Sequence, residues 1–108
     1  MIETVESVKN LNEILAVEHL DMVYVGPYDL SISHGYSPDK VFTEQSMLDV
    51  YEFILNKTLK YKKKAAIHCE GAETAKFFLQ KGFSMVTIST DLNLIKKALN
   101  HEFFLLDN

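Results

Sequence analysis

The sequence VYVGPYDLSISHGY, which runs from Val23 to Tyr36, decides the fold that we expect for this chain. It begins with apolar, β-branched and aromatic residues, a pattern typical of a short buried strand. Gly26 and Pro27 end this strand, and one acid, Asp29, follows directly. A single carboxylate at the carboxyl end of a strand, beside a glycine and a proline, raises the question of what it binds.

Outward from this strand, apolar runs alternate with segments that have helical spacing. Upstream, Val8, Leu11 and Leu15 recur at the spacing of one helix face. Downstream, the sequence predicts a loop with Ser31, Ser33, Gly35 and Pro38, and then a long helix capped by Thr43. The strand AAIHC and a helix AETAKFFLQKG that ends at Gly82 come next. The strand SMVTIST and a last helix capped by Thr90 or Asp91 complete the chain.

Several aromatic residues are interpreted as core or helix-packing groups. They are Tyr24, Phe77, Phe78, Phe83, Phe103 and Phe104.

This order of elements predicts an α/β protein of roughly four βα units, because such alternation places parallel strands between helical crossovers. Four units can form a small open sheet or half of an eight-stranded barrel. Two observations favour the half barrel: the start of the chain shortens the first strand, and no glycine-rich phosphate turn is present. We therefore expect residues 1–108 to be one partial domain, the C-terminal half of a (β/α)8 TIM barrel.

Polar residues follow the predicted strands at their carboxyl ends, where parallel α/β folds gather their chemistry. They are Glu3, Asp29, the run His68-Cys69-Glu70 and the run Ser89-Thr90-Asp91. Polar residues at this edge also cap the helices that follow, so their placement alone does not establish a site.

Charge and composition exclude several classes of protein. The net charge of −4 argues against a nucleic-acid-binding face, and no apolar run is long enough to predict a membrane span. The basic run Lys60–Lys64 is interpreted as the end of a helix, although an anion-binding patch is the alternative. The first ten residues do not have the pattern of a signal peptide, and the single cysteine, Cys69, cannot form an intrachain disulfide. We expect a cytoplasmic protein.

The segments IETVESVKNLNEILAV and LDMVYVGPYDLSISHGY together resemble the HpcH/HpaI aldolase family. These are metal-dependent class II pyruvate aldolases related to the citrate lyase β-subunit. The element GPYDLS, with a glutamate 26 residues before its aspartate, carries most of the resemblance. The segments KKKAAIHC and KGFSMVTISTD resemble later units of the family more loosely. A complete barrel has roughly 250 residues, so the resemblance implies that the remainder of the barrel lies N-terminal to Met1.

The resemblance also implies a site. Glu3 and Asp29 would bind one Mg²⁺ or Mn²⁺ ion, and the ion would take the keto and carboxylate oxygens of a small-molecule 2-oxo acid. The backbone of Gly26, Pro27, Tyr28 and Asp29 would hold the substrate carboxylate. The alternatives are that Asp29 only caps a loop and that Glu3 is an ordinary surface acid.

The implied activity is cleavage of a 4-hydroxy-2-oxo acid to pyruvate and an aldehyde. In the family the substrate-binding arginine and the catalytic histidine lie in the N-terminal half, and this chain has no arginine. No residue here is therefore assigned a catalytic role, His34 is interpreted as a loop residue, and the chain is expected to be inactive alone. The resemblance places His68, Cys69 and Glu70 near the substrate tail, and their strand alternation argues against a metal site built from all three.

Two other functions stay open: a non-catalytic half-barrel module, and an acyl-CoA lyase of the citrate lyase branch, over which GPYDLS favours the aldolase. The expected partner is a second copy of the chain or a separate N-terminal half. Because the family exchanges its last helix between subunits, the segment LNLIKKALNHEFFLL is expected to pack on a neighbour.

Overall fold

A computed structural model describes all residues from Met1 to Asn108. It contains six α-helices and three short strands in the predicted alternation. The elements are α1 (Val5–Lys9), α2 (Leu11–Leu15), β1 (Met22–Val25), α3 (Pro27–Ser33), a 3₁₀ turn (Pro38–Lys40), α4 (Gln45–Lys60), β2 (Lys64–Ile67), α5 (Ala72–Lys81), β3 (Met85–Val86) and α6 (Asp91–Asp107). None of the helices combines the length and the apolar character that a membrane crossing needs.

The three strands form one parallel sheet in the order β1-β2-β3, as the alternation of elements predicts. Ile2 adds a single parallel bridge beside Val25. Its N–H donates to the carbonyl of Tyr24 over 2.8 Å, and its own carbonyl accepts from the N–H of Gly26 over 3.0 Å. The first of the four predicted strands is therefore present as one bridged residue.

The two faces of the sheet differ in their environment. One face carries residues such as Val25, Ile67 and Cys69, which are fully buried in a core of 16 residues. Helix α4 closes this core with Met47, Tyr51, Ile54, Leu55 and Thr58. Because side chains alternate along a strand, the opposite face carries Tyr24 and His68, which are only partly buried. The polar groups of the sheet thus lie on the face that the helices leave open.

Four boundaries differ from the sequence-based prediction. The helix predicted through Leu11 is divided at Asn10, whose backbone (φ −88°, ψ 12°) leaves the helical region and whose amide side chain donates to Glu6. The loop predicted after Gly26 is helix α3, because Pro27 at its first position has a φ suited to a helix start. The long helix α4 is preceded by Glu44 rather than capped by Thr43.

The fourth difference is the length of the last strand, which pairs only with β2 and only at Met85 and Val86. Two local predictions are confirmed. Gly82 ends α5 with a left-handed backbone (φ +113°), a conformation that favours glycine. Thr90 caps α6, and its hydroxyl accepts from the N–H of Asn93 over 3.3 Å.

Helix α6 buries none of its residues. Phe103 and Phe104, predicted to pack, are 60% and 64% exposed, so this prediction is wrong for the isolated chain. The helix follows the shortest strand, which offers little surface to cover it. The chain is accordingly elongated, with extents of 56 × 28 × 21 Å.

Candidate metal and substrate site

Gly26 lies at the centre of the candidate site, between β1 and α3. A Cβ atom at this position would lie 3.2 Å from the Cβ of Glu3, 3.3 Å from its Oε2 and 3.0 Å from the sulfur of Met1. The family resemblance implies that the backbone of this glycine helps to hold a substrate carboxylate. The structure shows that the chain's own first residues occupy the space a side chain would need.

Glu3 is held in place by its neighbours on both sides. Ile2 is 1% exposed and bridges to β1, while the N–H of Glu3 donates to the hydroxyl of Ser7 over 3.2 Å. Thr4 and Ser7 form a capping box that starts α1. Glu3 is therefore tied to the sheet and to a helix, which brings its carboxylate against Gly26.

Asp29 is the acid in the first turn of α3, three residues after Gly26. It lines a shallow cavity of about 210 Å³ at the carboxyl end of β1. The residues around this cavity are Met1, Tyr24, Gly26, Pro27, Tyr28, Asp29 and His68. Asp29 thus lies in a concave site at the carboxyl end of a strand, where the sequence predicted it, although in a helix turn and not in a loop.

The donor set suits a hard cation that keeps several other ligands. Glu3 follows the bridged residue Ile2 and packs against Gly26, and Asp29 lies in the first turn of α3. No group of three or more His, Cys, Asp or Glu side chains is placed to hold a metal ion by itself. Two carboxylates with water and substrate oxygens form a ligand set that Mg²⁺ accepts, so these residues fit the ion that the resemblance implies.

The backbone donors near Asp29 are fewer than the sequence suggested. The N–H of Gly26 already donates to Ile2, and Pro27 has no N–H. The N–H groups of Tyr28 and Asp29 lie in the first turn of α3, where they have no acceptor within the helix. Only these two of the four predicted residues can donate to a substrate carboxylate.

A hydrogen-bonded histidine lies at the same cavity. His68 places Nδ1 2.7 Å from the hydroxyl of Thr87 and 3.3 Å from that of Tyr24, and its Nε2 is 3.4 Å from Glu70 Oε1. Glu70 Oε2 in turn accepts from Ser89 over 3.2 Å and from Asn93 over 3.1 Å. We call Tyr24, His68, Glu70 and Thr87 the His68 network.

This network was not predicted from the sequence. The expected alternation of side chains is confirmed for the three consecutive residues: Cys69 is fully buried in the core, while His68 and Glu70 pair on the other face. Alternation along the strand could have suggested that pairing. The contact with Thr87 joins residues 19 positions apart and depends on the pairing of β2 with β3.

Two acidic side chains beside the network keep their protons near neutral pH. Burial raises the pKa of the Tyr28 phenol, and the nearby Glu70 and Cys69 raise it further. Burial alone raises the pKa of the Cys69 thiol to about 11. Tyr28 is therefore a neutral hydrogen-bond donor, and Cys69 is a thiol in the core, which disfavours a nucleophilic role.

His34 does not line the cavity. It ends α3, where its Nδ1 lies 2.8 Å from the carbonyl of Leu30.

Comparisons with known proteins all identify the same family. The family described as HpcH/HpaI aldolase/citrate lyase matches residues 1–98. A hydroxypyruvate/pyruvate aldolase from Rhizorhabdus wittichii is 32% identical over 98 residues, 91% of this chain and 39% of that protein. A 4-hydroxy-2-oxo-heptane-1,7-dioate aldolase from Escherichia coli is 33% identical over 103 residues, 90% of this chain and 36% of that protein.

The fold also has close counterparts among solved structures. The crystal structure of an HpcH/HpaI aldolase/citrate lyase family protein from Burkholderia cenocepacia superposes with a TM-score of 0.91 at 20% identity. The match covers 99% of this chain and 41% of that protein. The chain thus spans about two fifths of the length of these proteins, and the predicted fold class of parallel βα units is confirmed.

Proposed function

Because this chain belongs to the HpcH/HpaI aldolase/citrate lyase family, we propose that it forms part of a metal-dependent class II aldolase. The proposed reaction is cleavage of a 4-hydroxy-2-oxo acid to pyruvate and an aldehyde. The observation that carries the proposal is the setting of Gly26 at the carboxyl end of β1, with the Glu3 side chain packed against it and Asp29 three residues later in the first turn of α3.

Each residue has a separate task in this proposal. Glu3 and Asp29 hold a Mg²⁺ or Mn²⁺ ion, and the N–H groups of Tyr28 and Asp29 donate to the substrate carboxylate. When bound, such an ion polarises a ketone and stabilises the negative charge that develops as the carbon–carbon bond breaks. The bridge at Ile2 supports this assignment, because it joins the segment of Glu3 to the strand that leads to Asp29.

We further propose that residues 1–108 are one partial domain, the C-terminal half of the barrel, and do not form a complete active site alone. The resemblance requires an arginine for the substrate, and this sequence has none. The purified chain with Mn²⁺ should therefore release pyruvate from 4-hydroxy-2-oxo acids at a rate lower by ~10²–10³ than a complete site, the usual cost of one missing charge-stabilising group. A coupled lactate dehydrogenase assay measures this release, and robust turnover would show that another residue performs the task.

A non-catalytic half-barrel module is the second candidate, and the lack of any arginine in this chain supports it. In either case we propose that a second copy or another chain covers helix α6. The buried, unpaired Cys69 is consistent with a reducing compartment such as the cytoplasm. The names of the relatives favour the aldolase over an acyl-CoA lyase.

Titration with Mn²⁺ tests the metal site directly. Followed by electron paramagnetic resonance, the wild-type chain should bind one ion weakly, with a Kd on the order of 10⁻⁴–10⁻³ M, since two carboxylates leave most positions to water. Asp29→Asn should weaken binding by about tenfold or more, while Asp107→Asn, at the exposed end of α6, should leave it unchanged. Equal binding by all three proteins would remove Asp29 from the site.

A further inference from the structure

We propose that Tyr24 and Tyr28, with the His68 network behind them, select an aldehyde half that carries a neutral hydroxyl group. They would disfavour an apolar tail and a tail with a second carboxylate. The inference rests on the proposed function, because it concerns the part of the substrate beyond the 2-oxo acid held at Asp29. It adds the substrate class, which neither the fold nor the carboxylate pair indicates.

The hydrogen bonds of His68 determine which groups are free for a ligand. A carboxylate only accepts, so the tautomer that fits these contacts has its proton on Nε2, which donates to Glu70, and leaves Nδ1 as an acceptor. The hydroxyl of Thr87, 2.7 Å away, is its nearest donor. Thr87 also accepts the N–H of Cys69 over 3.1 Å, so this hydroxyl both donates and accepts within the protein.

The phenol of Tyr24 is left with unused hydrogen-bonding capacity. It lies 3.3 Å from an Nδ1 whose lone pair Thr87 already occupies, and it has no other partner in the chain. The hydroxyl of Tyr28 has no hydrogen-bond partner in the chain, and its ring packs edge-on against His68 with centroids 6.1 Å apart. Both residues line the cavity of Asp29. Two neutral donors therefore border the space beside the proposed 2-oxo acid.

The charges around the cavity disfavour an anionic tail. The two charges of a divalent ion would be balanced by Glu3 and Asp29, and the carboxylate of the 2-oxo acid adds a further negative charge. Glu70 lies behind His68 within the same network, and no lysine lines the cavity. A second carboxylate would enter a region whose lining includes no lysine or arginine side chain to pair with it, a recognised source of discrimination between ligands.

An apolar tail is disfavoured for a different reason. A site built around hydroxyl donors rejects a ligand that leaves them without partners, because the donors lose their water and gain nothing in return. A hydroxyl group accepts from Tyr24 or Tyr28 and can donate in turn to a phenol oxygen. The chemistry of the cavity is thus matched by a hydroxyaldehyde.

Three five-carbon 2-oxo acids test the inference. They are 5-hydroxy-2-oxopentanoate, 2-oxopentanoate and 2-oxoglutarate, which end in a hydroxyl, a methyl and a carboxylate. None has a 4-hydroxyl group, so none undergoes retro-aldol cleavage. Calorimetric titration into the chain with saturating Mn²⁺ should show the hydroxyl ligand binding about fivefold more tightly than the methyl ligand, the factor for one net hydrogen bond. It should bind about tenfold more tightly than 2-oxoglutarate.

Three variants assign the preference to residues. Tyr24→Phe with Tyr28→Phe should bring the hydroxyl-to-methyl ratio to about one, while the affinity for pyruvate changes less than about twofold. Glu70→Gln should reduce the discrimination against 2-oxoglutarate, since it removes the nearest negative charge of the network. Tyr61→Phe, at the exposed end of α4, is the matched control and should keep every ratio.

Glu70 is a positioning residue, and its role has a spectroscopic readout. Nitrogen-15 spectra of the His68 ring should show the Nε2–H form in the wild type, and Glu70→Gln should shift the Nε2 resonance without ligand present. A merely structural Glu70 would leave this resonance in place while lowering the thermal midpoint.

The outcomes separate the two proposals. If Mn²⁺ or the 2-oxo acids bind equally well to Asp29→Asn, the proposed function is wrong and the inference falls with it. If pyruvate binds as expected but 2-oxoglutarate binds best, or the hydroxyl preference survives in the double phenylalanine variant, the inference alone is overturned.

Discussion

Helices α4 and α6 have nearly the same length, 16 and 17 residues, and opposite surroundings. Helix α4 buries five residues and packs against α2, β2 and α5, and its Tyr51 donates to the carbonyl of Val41 over 2.9 Å. Helix α6 has a comparable apolar pattern and buries nothing. A helical pattern thus predicts the helix, but the elements beside it decide whether its apolar face contributes to stability.

The largest expected effect of this difference is on the free energy of unfolding. Ile54→Ala in α4 should lower it by about 2–5 kcal/mol, because Ile54 is fully buried and its truncation leaves a cavity. Leu99→Ala in α6 should change it by less than about 0.5 kcal/mol, because Leu99 is 51% exposed. Urea denaturation at the lowest working concentration measures both, and equal losses would mean that α6 is packed in solution.

The next effect concerns association of the chain. We expect dimers or larger assemblies, because the exposed face of α6 and the open sheet edges both need cover. Phe104→Ser should weaken association about tenfold, whereas Phe53→Ser, on the exposed side of α4, should not alter it. Sedimentation equilibrium at micromolar concentration decides the question. A single 12.4 kDa species that unfolds cooperatively would contradict the half-barrel prediction.

A smaller effect separates two tyrosines at α4. Tyr51→Phe removes the hydrogen bond to Val41 and leaves a buried carbonyl without its donor, so it should cost about 1 kcal/mol of stability. Tyr61→Phe, at the exposed end of the helix, should cost nothing measurable. Thermal unfolding of the two variants gives the comparison, and equal midpoints would show that water replaces the Tyr51 hydroxyl.

The smallest expected effect on stability at neutral pH is that of the Cys69 thiol, which is buried in the core. Its folded pKa of about 11 is above the ordinary thiol value of about 8.5, so the folded state holds the proton more firmly. This contribution is complete below about pH 8.5 and is lost as the pH rises towards about 11. Cys69→Ala should flatten the dependence of stability on pH in that window. An unchanged slope would mean that the lysines and tyrosines cause the pH dependence.

The parts of the fold that the sequence predicted correctly depend on local chemistry. Gly82 and Thr90 end and start helices through their own backbone and hydroxyl groups, so a few neighbouring residues are enough to recognise them. Helix α3 was missed because its serines favour turns, although Pro27 is a usual first helical residue. Phe104 was misplaced because its burial depends on a surface that this chain does not supply.

The candidate site likewise contains residues that the sequence could predict and contacts that it could not. Glu3 and Asp29 were predicted from the family motif around Gly26, and their ligand role remains a prediction. The pairing of His68 with Thr87 could not be predicted, because it requires the register of β2 against β3. Spacing along the chain identifies residues that share a strand or a helix turn, whereas contacts across the sheet need the assembled structure.

The bridge at Ile2 has a consequence for how the site forms. Two main-chain hydrogen bonds, to Tyr24 and from Gly26, are all that adds the first residues to the sheet, and they lie at its edge. Edge segments open locally at a lower free energy than central strands do. The amide of Gly26 should therefore exchange with solvent in the same opening event that releases Glu3 from its place beside the strand. Deuterium uptake at that one amide thus reports the fraction of molecules in which the segment of Glu3 has separated from β1.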